Sequence, residues 1–263
     1  MARCYRHRAP YAPALFDKLL ALAPRRGRAL DLGCGPGKIA LVLAPHFDAV
    51  VAVDPSPFMI EVGKDGAPGN IDWICASAEE AGFGRFDIAA AGASIHWMKL
   101  DVVFPKLAAA LAPDGLFATI GGDGACDPPW AEAERDFLTR WLARLGRSYD
   151  PQGFSQALAN HESWLEIAGR ESFAYDFSQP VEHYIAAQHA RATWTRAAMG
   201  PQQAAAFDDD LRRVLAPFAT GGAIRYRVES TLVWGRPLLS PHLSLQAGYR
   251  TFRGVIRHIT WRG

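Results

Sequence analysis

The sequence predicts a doubly wound α/β domain whose central sheet is mostly parallel. Over the first 120 residues, short apolar runs that end in Gly or Asp alternate with longer runs rich in Ala and Leu. The apolar runs show no polar alternation, as expected for strands that are covered on both faces. Strands and helices alternating in this way form a parallel sheet with right-handed crossovers. A cluster of glycines directly after the first apolar run adds a turn that could approach a ligand.

Five strands and the helices between them are predicted in the first part of the chain. The predicted strands are Arg28–Gly33, Ala49–Asp54, Ile71–Cys75, Phe86–Ala91 and Leu116–Ile120. The predicted helices cover residues 36–46, 57–62 and 101–111, and the first two begin with Pro. A turn at residues 112–115 precedes the fifth strand.

The second half of the chain predicts helices that cover the sheet, together with two late strands. Residues 130–146 form an amphipathic helix pattern that ends at Gly146. Further helices are predicted over residues 181–198 and 202–215, and a strand over residues 173–177. Residues 224–234 alternate inward apolar with outward charged side chains, as in a half-exposed strand. The late strands bring the predicted sheet to seven strands.

We expect one domain over residues 1–235, with its core at residues 25–122 and the cover and late strands at residues 123–235. The remaining residues, 236–263, contain five Arg and no Asp or Glu. We interpret this segment as a mobile basic tail outside the fold. A basic run this short is more often a solvated surface than an arm that binds nucleic acid.

Charge and cysteine content exclude several classes of protein. Lys and Arg number 28 against 27 Asp and Glu, so no global field attracts nucleic acid or an anionic membrane. No apolar run approaches the roughly 20 residues that a membrane span requires. The four cysteines are widely spaced and form neither a CxxC pair nor a metal-binding cluster with histidine. We expect a soluble cytoplasmic protein that holds no metal.

The most informative segment is Asp31-Leu-Gly-Cys-Gly-Pro-Gly37, between a predicted strand and a predicted helix. Its glycines allow a tight turn, and the helix behind them offers unpaired amides. A dinucleotide fingerprint fails here, because Lys38 occupies its third glycine position. A phosphate-binding P-loop also fails, since Ile39 follows Lys38 and Leu32 stands at the first glycine position.

A second ligand-binding feature is Asp54, at the end of the second predicted strand and 17 positions after Gly37. In a doubly wound sheet, a carboxylate at this point faces the crevice beside the turn after strand one. It can there accept hydrogen bonds from both hydroxyls of a ribose. A surface Asp after a strand is common by chance, but its distance from the glycine loop favours ribose binding.

These features occur within a longer series of motifs. In chain order the series is Leu30-Asp-Leu-Gly-Cys-Gly-Pro-Gly37, Val51-Ala-Val-Asp54-Pro-Ser-Pro-Phe-Met59, Ala76-Ser-Ala-Glu79 and Phe86-Asp87. The series resembles the successive motifs of class I S-adenosylmethionine-dependent methyltransferases, in the type 11 branch. Ser94-Ile-His-Trp-Met98 and Arg8-Ala-Pro-Tyr11 are similar to the trans-aconitate methyltransferase-like sub-branch, with Ala9 where Pro is more usual. The resemblance covers residues 5–120 well and residues 121–235 only as a pattern of elements.

The resemblance implies a Rossmann-like methyltransferase fold and a set of residues that bind S-adenosyl-L-methionine. In chain order these residues are Arg8, Tyr11, Asp31, Gly33, Gly35, Gly37, Asp54, Met59, Ser77, Ala78, Ala91 and Gly92. The glycines would carry the backbone against the methionine part of the cofactor, with Asp31 orienting its amino group. The ribose would lie on Asp54.

The remaining implied positions surround the adenine and the sulfur. Met59 would pack near the adenine, and Ser77 and Ala78 would line its edge. Many relatives have Asp where this chain has Ser77, so the backbone of Ala78 would carry that contact. Ala91 and Gly92 would border the methyl-donating sulfur, while Arg8 and Tyr11 would close over the cofactor.

Transfer of a methyl group from a sulfonium to a small-molecule acceptor mainly requires alignment in a dry pocket. A general base helps only when the acceptor must lose a proton, and His96 is the best candidate for that base. Its alternative role is to shape the pocket beside Trp97, and Trp130 is a further candidate for the acceptor pocket. Weaker candidates in the predicted cover are His183, His189 and Tyr184.

Three other functions are weighed against methylation of a small molecule. Asp127-Pro-Pro-Trp130 spells a motif of DNA amino-methyltransferases, but that motif belongs after strand four, and here it follows strand five. The alternative interpretation of this motif is structural: Asp127 caps the N-terminus of the helix that follows. A nicotinamide-dependent oxidoreductase conflicts with Lys38. A protein that binds the cofactor without catalysis is compatible with the same motifs.

Overall fold

The computed structural model describes residues 2–148 and 160–242, and its centre is one eight-stranded sheet. The strands are β1 (Arg28–Leu32), β2 (Ala49–Asp54), β3 (Ile71–Cys75), β4 (Phe86–Gly92), β5 (Leu111–Gly121), β6 (Ala125–Cys126), β7 (Leu165–Pro180) and β8 (Ala223–Pro237). Their order is β3-β2-β1-β4-β5-β8-β6, and β7 also pairs with β8. The predicted doubly wound, mostly parallel fold is confirmed, and the two-residue β6 is added to the seven expected strands.

Helices cover both faces of this sheet. They are α1 (Ala2–Tyr5), α2 (Pro13–Leu22), α3 (Ala40–Leu43), α4 (Pro57–Lys64), α5 (Leu100–Ala110), α6 (Ala131–Arg144), α7 (Val181–Gln188), α8 (Arg196–Met199) and α9 (Pro201–Leu215). None of the helices in the described ranges is long and apolar enough to cross a membrane.

The apolar runs of the parallel strands bury side chains on both faces. On one face, Ala29 of β1 packs with Leu15 and Leu19 of α2. On the other, Leu30 packs with Phe104 of α5. Burial of such a side chain contributes roughly 1.5–3 kcal/mol. The first five strands are parallel, so their carboxyl ends meet at one edge of the sheet.

The late part of the sheet is built by antiparallel pairing around β8. β8 pairs with β5 on one side and with β7 along nearly its whole length on the other. In β8, Ile224, Tyr226 and Val228 are buried while Arg225 and Arg227 are exposed, which confirms the predicted alternation. β7 extends well beyond the predicted residues 173–177, because β8 provides a pairing partner for every part of it.

A second apolar core lies between β8 and the cover helices. It includes Trp130, Phe137 of α6, and Phe207 and Leu211 of α9. The helix predicted over residues 181–198 ends at Gln188 and is followed by a 3-10 turn and the short α8. The cover is therefore assembled from several short segments around aromatic rings.

Three sequence expectations differ from the structure in their details. The helix predicted over residues 36–46 is reduced to α3 and the 3-10 turn Ala44–His46, because the glycine loop continues through Gly37. Trp130 occupies the N-cap position of α6, so Asp127 does not cap that helix. β8 runs to Pro237, two residues into the segment interpreted as a tail, and residues 243–263 lie outside the described ranges.

Candidate functional site

The glycine loop lies at the carboxyl edge of the sheet, directly after β1. Gly33, Gly35 and Gly37 all have positive φ, at 64°, 54° and 86°. A Cβ on Gly33 would lie 2.4 Å from the Ser94 Cβ, and one on Gly37 would lie 2.6 Å from the Trp73 ring. A Cβ on Gly35 would meet nothing within 4 Å. The outer two glycines are thus required by packing, while Gly35 borders open space.

Asp54 connects the end of β2 to this loop. Its Oδ2 accepts a hydrogen bond of 2.9 Å from the Gly35 amide, and its Oδ1 accepts one of 2.9 Å from the Ser56 amide. The predicted proximity of the loop and this carboxylate is therefore present. Each carboxylate oxygen can accept a second hydrogen bond, so Asp54 retains the capacity to hold a ribose hydroxyl.

Asp31 is a buried carboxyl with an unused oxygen. Its Oδ2 accepts a hydrogen bond from the Ala40 amide at 2.9 Å, but its Oδ1 has no partner among the described residues. Burial raises the pKa of the Asp31 carboxyl to about 7, although the Ala40 amide acts in the opposite direction. A buried acceptor without a donor is costly, so this oxygen fits a ligand that supplies N–H groups.

Residues 8–12, here named the N-terminal strap, cross the edge of the sheet beside the loop. The Ala12 amide donates to the Ser230 hydroxyl at 3.0 Å, and the Tyr175 hydroxyl donates to the Pro10 carbonyl at 2.8 Å. Tyr11 is buried, and its hydroxyl would lie 2.9 Å from a Cβ placed on Gly92. The strap therefore brings Tyr11 against the end of β4.

A buried charge cluster holds the strap to the loop. Asp123, which follows β5, accepts from both Arg8 and Lys38, and the Lys38 ammonium also donates to the Ala9 carbonyl at 2.6 Å. The neighbouring cations Lys38 and Arg8 hold the pKa of the Asp123 carboxyl below its usual range, against the effect of burial. Two cations on one carboxylate leave an excess positive charge at this point.

Sequence reasoning missed the charge cluster. Arg8 was expected near the cofactor, but Lys38 was used only to reject other ligand loops, and Asp123 was not considered. A Lys one position after the third glycine is a local signal for an ion pair. Its partner lies 85 positions away, and no local pattern identifies it.

The residues expected around the adenine lie after β2 and β3. Met59 and Ala78 are both buried. The Ser77 hydroxyl donates to the Glu80 carboxylate at 3.0 Å, and Lys106 donates to the Ala78 carbonyl at 3.0 Å. These contacts hold the loop after β3 in place next to α5, with the Ala78 carbonyl already engaged.

The residues expected near the methyl group follow β4. Ala91 is buried, and the Ser94 hydroxyl donates to the Leu32 carbonyl at 2.7 Å, which fixes the segment after β4 against β1. His96 is half-buried with its ring centroid 4.9 Å from that of Trp97, and burial lowers the pKa of the imidazole. Trp97 is 75% exposed, so its ring faces solvent at the rim of the edge.

The remaining acceptor candidates lie in the cover. Trp130 is 1% exposed, and its indole N–H donates to the Tyr184 hydroxyl at 3.4 Å. His183 stacks on His7, and His189 lies buried between Asp208 and the Trp194 carbonyl. Tyr184 lines a narrow cleft that begins at Arg8 and Asp123. Of these four candidates, Tyr184 is the one that lines the cleft next to the N-terminal strap.

A wider depression lies at the opposite edge of the sheet. Arg25, Arg28 and Asp87 line it, at the amino ends of the parallel strands. The Asp87 carboxylate is already held by Arg25 and by the Arg28 amide. Ligands of open α/β sheets bind at the carboxyl ends of the strands, so this depression is separate from the candidate site.

The comparisons with known proteins agree with this arrangement. A family model described as a methyltransferase domain matches residues 29–115. A solved protein of Anaeromyxobacter dehalogenans assigned to the type II methyltransferases superposes with a TM-score of 0.65 at 25% identity, covering 89% of this chain and 99% of that chain. The chain carries an S-adenosylmethionine-dependent methyltransferase domain.

Curated relatives extend the match beyond this methyltransferase domain. The trans-aconitate 2-methyltransferase of Methylobacterium radiotolerans is 27% identical over 227 residues, which cover 78% of this chain and 82% of that protein. An uncharacterized methyltransferase of Mycobacterium tuberculosis is 35% identical over 143 residues, about half of each chain (54% and 53%). The methyltransferase fold, methyl transfer as the reaction and S-adenosylmethionine as the cofactor, all predicted from the sequence, are confirmed.

Proposed function

We propose that this methyltransferase acts on a small polar molecule and methylates an oxygen atom, either of a carboxylate or of a hydroxyl. The observation that carries the proposal is the cleft that starts at the Arg8–Asp123 pair and runs beneath α7. It is narrow, with a volume of about 20 Å³, so it admits a polar group of a small molecule but no segment of a macromolecule. The names of three curated relatives, trans-aconitate 2-methyltransferases, describe enzymes of a small acid.

The bound cofactor supplies an activated methyl group on a sulfonium, and the chain's residues orient it. Asp31 Oδ1 would accept from the ammonium group, and Asp54 would accept from the ribose. The open space beside Gly35 leaves room for the ligand to approach the backbone. The excess positive charge of Arg8 and Lys38 over Asp123 would attract the cofactor carboxylate.

Two further groups of residues would hold the adenine and the sulfur. Met59, Ser77 and Ala78 would border the adenine. Ala91 and Gly92 would border the sulfur, with Tyr11 closing the site. His96 would act as a general base for an acceptor that must lose a proton, because burial lowers the pKa of its imidazole and favours the neutral form.

We further propose a cytoplasmic protein without a nucleic-acid partner. All four cysteines are free thiols, as is usual in a reducing compartment. The formal net charge is only +1. These properties favour a metabolite as the partner of the enzyme.

The experiment is a methyl-transfer assay that measures S-adenosylhomocysteine, with mass spectrometry of the acceptor. The panel contains trans-aconitate, other small di- and tricarboxylates, hydroxy acids and neutral alcohols. We expect one class of small acid to gain a single methyl group. Saturable binding of S-adenosylmethionine without turnover on any small molecule would contradict the proposed function.

A further inference from the structure

The cleft beneath α7 contains polar atoms that the protein itself leaves unused. We name it the cover cleft and define it by Arg8, Gln179, Tyr184, Gln188, Arg191 and Tyr226. The Arg8–Asp123 pair, which also holds the N-terminal strap, is part of its lining. The cleft thus adjoins the segment that closes the cofactor site.

Gln188 provides a hydrogen-bond acceptor without a donor. Its side chain is 2% exposed, and its Nε2 donates to the Tyr184 carbonyl at 3.4 Å. Because a carbonyl can only accept, this bond fixes which end of the amide is the nitrogen. The Oε1 atom is buried and has no partner among the described residues. Buried polar atoms normally have a hydrogen-bond partner, so this oxygen could accept a hydrogen bond from a bound molecule.

Tyr226 provides a hydrogen-bond donor. Its hydroxyl oxygen accepts from the Gln179 amide at 2.5 Å, and no described residue accepts its hydrogen. Tyr184 differs, since its hydroxyl accepts from Trp130 and donates to the Glu134 carboxylate at 2.8 Å. One of the two tyrosine hydroxyls in the cover cleft is therefore used within the protein, and the other is available to a ligand.

Arg191 provides a positive charge. Its side chain forms no ion pair with any acidic group in the described ranges, and its Nη2 lies 3.7 Å from the position of a Cβ on Gly124. Burial raises the pKa of the Tyr226 hydroxyl, and the Asp123 and Glu134 carboxylates raise it further. Arg191 lowers this pKa, so its guanidinium charge offsets part of the negative charge beside the hydroxyl. Arg191 also acts on the buried Glu134 carboxyl, whose pKa burial raises and Arg191 lowers. Because its guanidinium forms no ion-pair contact with the described residues, Arg191 can still form a charge-assisted hydrogen bond with a carboxylate next to the Tyr226 hydroxyl.

We propose that the cover cleft receives the polar end of the methyl acceptor and that this acceptor is an acid which also carries a hydroxyl or amino group. Its carboxylate pairs with Arg191 and Tyr226, and its hydroxyl or amino group donates to Gln188 Oε1. The inference rests on the proposed function and makes it more specific. A plain acid leaves the Gln188 oxygen buried without a donor, and a site built for a hydroxyl discriminates against a ligand that lacks it.

The experiment measures the binding of matched acids by calorimetry to enzyme saturated with S-adenosylhomocysteine. Each pair differs by one hydroxyl: malate and succinate, citrate and tricarballylate, salicylate and benzoate. In at least one pair we expect the wild-type enzyme to bind the hydroxylated acid about tenfold or more tightly than its partner. This comparison requires no variant, so a folding defect cannot obscure it.

Two variants test separately the contact of Gln188 with the hydroxyl group and the contact of Arg191 with the carboxylate. Gln188→Leu should abolish the preference for the hydroxylated acid while leaving the affinity for the plain acid within about twofold. Arg191→Met should weaken both members of the pair by about tenfold or more. Arg140→Met is the matched control, because Arg140 is an exposed arginine of the cover helix α6, and it should change neither affinity.

Three results would overturn the inference: equal affinities within every pair in the wild type, no effect of Arg191→Met, or no binding of any acid at millimolar concentration. Failure of the proposed function is recognised separately, as the absence of S-adenosylmethionine binding or of methyl transfer to any small molecule. An enzyme that methylates only neutral alcohols would keep the proposed function and refute this inference.

Discussion

The Gly35 amide donates a hydrogen bond to the Asp54 carboxylate over 2.9 Å, and this bond joins the loop after β1 to the end of β2. The two residues stand 19 positions apart, and the strands that precede Gly35 and contain Asp54 are neighbours in the sheet. Asp54 therefore positions the loop as well as facing the crevice. We expect its loss to affect the candidate ligand site both directly and through the backbone of the loop.

Replacing Asp54 with Asn should weaken cofactor binding. The amide nitrogen of Asn cannot accept a hydrogen bond, so either the Gly35 or the Ser56 amide loses its acceptor. Hydrogen bonds to charged groups contribute about 1.5–3 kcal/mol, so we expect S-adenosylmethionine affinity to fall by about 10- to 100-fold. Isothermal titration calorimetry measures this change.

The control for D54N is D48N, at the opposite end of the same strand region. Asp48 is exposed, and its side chain makes none of the contacts that hold the loop. Unchanged affinity in D54N, with D48N also unchanged, would remove Asp54 from the cofactor site.

Alanine at two positions of the glycine loop should give different defects. Gly33→Ala places a Cβ 2.4 Å from the Ser94 Cβ and should lower the free energy of unfolding by more than the roughly 1 kcal/mol of left-handed strain. Gly35→Ala meets nothing within 4 Å, so only that strain applies.

Gly35→Ala should instead reduce S-adenosylmethionine affinity, because its methyl group projects into the space left for the ligand. Urea unfolding of both variants measures the loss of stability, and calorimetry of both measures the loss of S-adenosylmethionine affinity. A Gly35→Ala enzyme with normal affinity would place the cofactor away from this loop.

Asp31 should make stability and cofactor binding depend on pH in opposite directions. Burial raises its pKa from the ordinary 3.8 to about 7 in the folded protein. A raised pKa contributes stability that is fully present below pH 3.8 and is lost as the pH rises through about 7. Cofactor affinity should increase over the same range, because the ionised carboxylate binds an ammonium group better.

D31N removes this titration. Between pH 5 and pH 8 the ligand-free wild type should lose stability relative to D31N, and its S-adenosylmethionine affinity should rise while that of D31N stays level. Thermal unfolding and calorimetry at several pH values measure both trends. Parallel pH profiles for the two proteins would show that Asp31 does not titrate in this range.

D123N should release the N-terminal strap. The change leaves Arg8 and Lys38 next to each other without their carboxylate, and removal of one partner from a buried ion pair costs about 3–5 kcal/mol. We expect a lower unfolding free energy and faster hydrogen exchange at the Ala12 amide. D136N, an exposed Asp on α6, should change neither quantity. Unaltered exchange at Ala12 in D123N would separate the charge cluster from the strap.

His96→Gln tests the general base. When His96 accepts the proton, kcat falls as the pH drops below its lowered pKa, and H96Q reduces kcat by about 100-fold or more and flattens the profile. S-adenosylmethionine affinity should stay unchanged. A pH profile of kcat that is the same in both enzymes would restrict His96 to a structural role beside Trp97.

Local sequence patterns predicted the parallel half of the fold closely. β2 and β3 have the predicted bounds, and the helix predicted over residues 101–111 is displaced by one residue. These segments are fully buried or strongly amphipathic, so their periodicity is decided locally. β7 was predicted at less than half its length, because its polar sequence gains strand structure only from pairing with β8.

The site was predictable where backbone chemistry decides it. The glycines and Asp54 have fixed roles in a turn, and their spacing along the chain is short. Asp123, Gln188 and Arg191 reach the cover cleft from distant segments, and each is an ordinary polar residue in its local sequence. Only the assembled fold shows that Gln188 Oε1 lacks a donor among the described residues and that Asp123 pairs with two cations.

The bond between the Ala12 amide and the Ser230 hydroxyl spans 218 positions and joins the N-terminal strap to β8. During translation the N-terminal segment leaves the ribosome first but cannot settle until β8 has also emerged. A nascent chain stalled before Ser230 would hold the glycine loop and Asp54 without their cover. Ribosome-bound intermediates should therefore bind S-adenosylmethionine weakly, and the enzyme should mature only after synthesis of β8.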